Sequence, residues 1–257
     1  MAQSAEKQIF IDERNTIKKV TQFKEEYKTQ AEKLVSEVLP KKVIELNDIL
    51  NLKDFDAARV TDINTDLNIP VPEVVLNNDA DGPQPKKRKL DLMDGLSEFP
   101  GCRILGLPNG TSPSNKHISS LLDQVKPYIR DLIDHANMIR MWIAFLMPKI
   151  EDGNNFGVSI QEDSMSEARQ VESEAASYLD QISRYFITRA KIVSKVAKYP
   201  HVEDYRRTIT ELDEKEFVSI RLVVMELRNH YATLHDLIMK NLEKIKKPRS
   251  QNTTSMY

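Results

Sequence analysis

The sequence predicts an all-α protein, a long up-down four-helix bundle with a long mobile linker between its first and second helices. Three observations predict it. All seven glycines of the 257-residue chain fall between Gly82 and Gly157, so neither flank has the glycine that β turns or phosphate-cradling loops require. Seven of the twelve prolines lie between Pro70 and Pro113, which gathers the breakers into one stretch and leaves the flanks free to be helical. Both flanks carry apolar residues in alternating steps of three and four, the spacing of one helix face. With 40% apolar residues, the chain can bury a sizeable core.

The first helix is read from Ile17, Val20, Tyr27, Ala31, Leu34 and Val38, with Lys24 interrupting the pattern and Pro40 marking a kink or stop. A short helix near Asp54 to Asp66 completes an N-terminal helical region over residues 1–66. Residues 67–114 lose the helical period and fill with Pro, Gly, Asn and Asp, the composition of a flexible linker. The second helix follows from Ile118, Leu122, Val125, Ile129, Leu132, Ala136, Ile139, Ile143 and Leu146, and Pro148 ends it. The third runs through Ala168, Val171, Ala175, Tyr178, Ile182 and Tyr185 to Val193 and Val196, before Pro200. The fourth runs through Ile220, Val224, Leu227, Tyr231, Leu234 and Ile238 to Ile245. Helices of about 30 to 40 residues make rods of about 45–60 Å. Connections of roughly ten and five residues force antiparallel neighbours. A three-helix C-terminal region therefore spans 115–247, with a loop at 148–158, and a tail follows at 248–257.

Little in this pattern supports catalysis. Lys+Arg and Asp+Glu balance at 37 and 39, which gives no electrostatic case for a specific nucleic-acid or membrane partner. The lone Cys102 cannot form an internal disulfide, and Met1 to Phe10 holds no apolar run, so the protein is expected to be intracellular and soluble. His117, His135, His201, His230 and His235 show no i,i+4 pairing, so no zinc site is expected. Asn77, Asp79, Asp81 and Gly82 imitate the start of a calcium loop, but Arg88 stands where the bidentate Glu belongs. With no phosphate loop and no base for Cys102, the expectation is no catalytic residue, no metal, no cofactor and no enzyme.

Three segments suit binding instead. Lys86, Lys87, Arg88 and Lys89 form an extended basic run in the linker, the kind of peptide that a nuclear import receptor reads. The connection Lys149-Ile150-Glu151-Asp152-Gly153-Asn154-Asn155-Phe156-Gly157 concentrates turn formers around one aromatic, as a contact loop does. Ser255, Met256 and Tyr257 end the chain as a peptide whose apolar end and carboxylate suit a partner's pocket.

The stretch from Ile150 through Gly157 and on to Val158-Ser159-Ile160-Gln161-Glu162 resembles the activation-loop signature of the REG (eleven-S) proteasome activators. The resemblance continues through Val171 to Tyr185, Tyr199 to Arg207, Lys247-Pro248-Arg249 and the terminal Tyr257, and reaches Pro40-Lys41-Lys42 and Leu67 to Pro72. It covers essentially the whole chain and is strongest to the gamma type, whose linker is basic as here. Residues 91–115 follow the family less closely. The resemblance implies a homoheptameric ring of four-helix subunits around a channel. Such a ring docks on the α-rings of the core proteasome through Ser255, Met256 and Tyr257 and opens its gate through the loop Lys149 to Gly157. It does so without ATP, stimulating degradation of peptides and some unstructured protein substrates. It further implies a nuclear location, served by the basic run, and makes Lys191 a candidate for tuning specificity in the channel. The alternative reading is a nuclear helical scaffold or adaptor without gating activity.

Overall fold

The computed structural model describes residues 2–72, 107, 109–149 and 158–248, with side chains from residue 15 onward. Among the described residues all regular structure is helical. The basic run at Lys86 to Lys89, the loop residues Ile150 to Gly157 and the tail residues Ser255 to Tyr257 lie outside them.

The first rod is α1 (Ala2–Lys33) and α2 (Leu39–Leu50), joined by a π-helical turn at Leu34–Val38. Pro40 was expected to kink or stop this helix, yet helical bonding passes it. The Leu39 N–H reaches back five residues to the Leu34 carbonyl, and Pro40 follows in the first turn of α2. A proline in unbroken α register would press on the carbonyl four residues earlier, and one extra residue just ahead of it relieves that clash.

A second expectation also changes. Ala31 and Leu34 are buried, but Ile17 is 65% exposed, Val20 49% and Phe23 53%. The reason is length. Tyr27 meets Phe145 edge-on at 5.7 Å, and α3 (Lys116–Leu146) ends one residue later. The helix beside α1 therefore runs out before residues 17–23 can be covered by it.

Where a short helix was expected near Asp54 to Asp66, the chain makes two 3₁₀ turns, Lys53–Phe55 and Ala57–Ile63. The Asp56 carboxylate caps the second by accepting from the Ala58 N–H at 3.0 Å. Phe55 and Ile63 reach the core, and Arg221 donates to the carbonyls of Leu50 and Phe55. Leu67 and Ile69, which open the linker in the sequence reading, are buried against Val196 and Ile209 in a small second cluster.

The remaining rods are α3, α4 (Val158–Lys198, 41 residues) and α5 (Glu203–Lys246, 44 residues), the longer two about 60–65 Å at the α-helical rise. α3 packs on α4, both pack on α5, and α2 packs on α5, which gives the up-down order. The seams predicted on α3 and α5 form the core, with Ile129, Leu132, Ile139, Val224, Leu227, Tyr231 and Leu234 at 0% exposure, and Trp142 joins them. Each such side chain contributes about 1.5–3 kcal/mol by leaving water. Acidic Glu203 and Asp204 open α5 and Lys244 and Lys246 close it, matching the partial charges of the helix ends.

Candidate functional site

The two ends of the bundle differ in chemistry. At one end α3 begins and α4 finishes. Asn115 caps α3, its Oδ1 accepting from the Ile118 N–H at 3.2 Å, while its Nδ2 donates to the Ile63 carbonyl and to Asp213 Oδ2. Asp213 also accepts from Tyr185 Oη at 2.8 Å and from Arg189 Nε at 3.0 Å. Arg189 further donates to the Pro113 carbonyl. This buried network fastens the 3₁₀ segment and the chain before α3 to α4 and α5. Removing one partner of such an ion pair leaves an uncompensated charge, a cost of about 3–5 kcal/mol. Burial, and then the Asp213 carboxylate, push the Tyr185 hydroxyl well above the ordinary phenol range, so it serves as a donor. Asn68 Nδ2 donates to the Asn109 carbonyl at 2.9 Å, so residues 68 and 109 meet at this same end.

At the other end three helix termini converge. α3 stops at Leu146, α4 starts at Val158, and α5 stops at Lys246. Gln161, in the first turns of α4, is fully buried. Its Nε2 donates to the Ile245 carbonyl at 2.8 Å and to the Leu146 carbonyl at 3.3 Å, two of the orphan acceptors that helix C-termini leave behind. Ser164, one turn further on, donates to the Ile160 carbonyl at 2.7 Å. Lys246 pairs with Glu32 of α1 at 2.9 Å, and Lys24 lies 5.7 Å from the Phe145 ring centre. The helix ends that flank the predicted loop Lys149 to Gly157 therefore lie at the same end of the bundle as the C-terminus of α5, which precedes the tail. Lys149 is the one loop residue described, and it is exposed. Lys191 is exposed on α4, two residues beyond Arg189 and so at the opposite end from the loop.

Among the described residues no group of His, Cys, Asp and Glu is placed to hold a metal ion, and no helix is long and apolar enough to cross a membrane. The perturbed acids and bases sit in packing positions instead. Burial raises Glu216 to about 7, with Asp213 adding to the rise and Lys215 opposing it. Burial, then Glu226 and Glu174, raise Tyr178 to about 12. His135 is lowered by burial and shares a 2.9 Å hydrogen bond with Tyr231.

Comparison with known proteins accounts for this architecture. The family profile for proteasome activator PA28, C-terminal, matches residues 111–255, and that for PA28, N-terminal, matches residues 14–74. The chain belongs to the PA28 family of proteasome activators. Proteasome activator complex subunit 3 of Gallus gallus is 54% identical over 243 residues, 93% of this chain and 95% of the relative. The crystal structure of the 11S subunit of the Plasmodium falciparum proteasome, PA28, superposes with a TM-score of 0.72 at 31% identity, covering 92% of this chain and 95% of that one. An activator in a crystal structure of the archaeal 20S proteasome in complex with mutated P26 activator shares the fold, with a TM-score of 0.53 at 11% identity and coverage of 92% and 99%. The two PA28 profiles leave a gap between residues 74 and 111, which holds the basic run.

Sequence reasoning about this PA28 chain missed the residues that organise both ends. Gln161 and Ser164 continue the α4 seam of Ala168, Val171 and Ala175 in steps of three and four. Arg189 continues it after Ile182 and Tyr185, and Asp213 precedes Phe217 and Ile220 on α5 in the same phase. A polar residue in an apolar register was the available signal, because such a group is buried only where partners await it.

Proposed function

We propose that this chain forms a homoheptameric ring that docks on the α-rings of the core proteasome and opens their gate without ATP. The ring stimulates hydrolysis of peptides and some unstructured proteins and performs no catalysis itself. Seven tails ending in Ser255, Met256 and Tyr257 enter pockets on the core particle, and the loop Lys149 to Gly157 holds the gate open. The observation that carries this reading is geometric: the helix ends that flank the loop and precede the tail lie together at one end of the bundle, so one flat approach of a ring would present all copies of both. Joining seven weak contacts on one rigid body raises avidity by about 10²–10⁴ per link in favourable geometry.

The test is ATP-free hydrolysis of short fluorogenic peptides by latent core proteasome, with the full chain and with a version lacking Ser255 to Tyr257. Stimulation by the full chain and its loss with the tail are expected. A well-formed ring that gives no stimulation would leave the fold without the gating role.

Lys86 to Lys89 direct this activator to the nucleus through an import receptor, and Lys191 tunes which peptides pass the channel. Deleting the four basic residues is expected to leave a fluorescent fusion cytoplasmic. Unchanged nuclear accumulation would remove the basic run from the mechanism.

A further inference from the structure

The loop and the tail are separated by about ninety residues of chain, yet the helices that carry them are joined by one side chain. Gln161 is at 0% exposure. Its amide nitrogen spends one N–H on Ile245, the penultimate residue of α5, and the other on Leu146, the last of α3. Its Oε1 is buried without a hydrogen-bond partner among the described residues. The orientation of the amide follows from its neighbours. Turned over, it would set a carbonyl oxygen against two carbonyl oxygens, whereas as placed it fills two orphan acceptors. The helix ends agree: α4 brings its positive N-terminus between the negative C-termini of α3 and α5. A leucine here would pack equally well, so the seam alone does not require the amide.

We propose that Gln161 is a positioning residue that couples tail to loop: it holds the end of α5 and the end of α3 in one register. A pull on a docked tail then reaches the base of the gate-opening loop rather than dissipating in a frayed helix end. This rests on the roles given above to the loop and the tail. Two neighbouring polar side chains at that end make contacts of another kind. Lys246 binds Glu32 on α1, and Ser164 bonds within its own helix.

The experiment uses the full chain as assembled, with Gln161→Met, which keeps the side-chain length and removes both donors, and Gln161→Glu, which keeps the shape and presents acceptors to the two carbonyls. Hydrogen exchange is followed in the ring alone at Met147 and Lys247, whose N–H groups close the last turns of α3 and α5. Both are expected to exchange about tenfold faster in either variant, while amides around Tyr185 and Arg189 keep their wild-type rates. In the peptide assay the half-saturating concentration is expected to stay within about twofold, because seven tails set it, while maximal stimulation falls several-fold. A residue that merely supported packing would move neither split. Faster exchange at only one of the two termini, or at neither, would overturn the clamp. Faster exchange at both with maximal stimulation intact would overturn the coupling. Should the wild-type ring itself fail to stimulate, the gating role falls, and the exchange measurement still decides whether Gln161 joins the two ends.

Discussion

Glu216 shows how burial in a long bundle makes one carboxyl a measurable load. It lines a narrow crevice with Leu122, Val125, Tyr178 and Ile220, and its folded value of about 7 lies above its ordinary 4.5. For an acid raised on folding, the native state holds the proton more tightly. Its stability contribution is complete below 4.5 and is lost as pH rises through 7. Glu216→Gln removes the charge that burial opposes. The variant is expected to match wild type near pH 4.5 and to gain about 1–2 kcal/mol at pH 8, once solvent screening of the part-exposed group is allowed for. Urea midpoints at fixed subunit concentration across that range measure the difference, and a gap that stays flat with pH would exclude Glu216 as its source. Single residues were also where sequence reading was weakest. Asp213, Arg189 and Gln161 stand in apolar phase, and nothing in a periodicity count says that three partners converge on a carboxylate or two helix ends on an amide.

At the scale of elements the reading was more complete, and the reason is physical. α3, α4 and α5 each bury one continuous stripe for most of their length, so the 3.6-residue period survives in the sequence as steps of three and four. α1 and α2 were harder, because the extra residue of the π turn at Leu34–Val38 shifts the phase partway along one rod. Ile17 and Val20 keep an apolar pattern where no described helix of the same subunit covers them. The 3₁₀ turns after α2 are held by Arg221 and Asp56 rather than by a stripe, and such bonds leave no period. The π turn gives the element-level prediction. Deleting Ser36 would restore α register and rotate α1 by about 100° against α2. That would carry Ala31 out of the core, separate Tyr27 from Phe145, and set the Pro40 ring against a carbonyl, a cost of about 3 kcal/mol or more. A lowered thermal midpoint and faster proteolysis within α1 are expected; an unchanged midpoint would mean that α1 contributes nothing through this register.

For the whole molecule, exposed apolar residues on several helices, Ile17 and Phe23 on α1, Ile44 on α2, Ile187 on α4 and Leu222 on α5, fit subunits that meet neighbours in the proposed ring. Sevenfold multiplication also separates two acts that one subunit would confuse. In the proposed function the tails supply affinity by adding weak contacts, and a docked ring shifts the gate only if it contacts the open form better than the closed one. The proposed function assigns that difference to the loop, since the end of α3 and the start of α4 that flank it lie beside the end of α5. A bulky residue in the loop, Asn154→Trp, is therefore expected to leave ring mass near 200 kDa, seven times the 29.6 kDa subunit, and to leave co-sedimentation with the core proteasome unchanged. It should abolish peptide stimulation, and excess variant should compete with wild-type rings for the same α-ring surface. Competition without stimulation is the signature of docking uncoupled from opening. If docked Asn154→Trp rings instead stimulated as well as wild type, the tails alone would have to open the gate, and the loop would be only a connector between two helices.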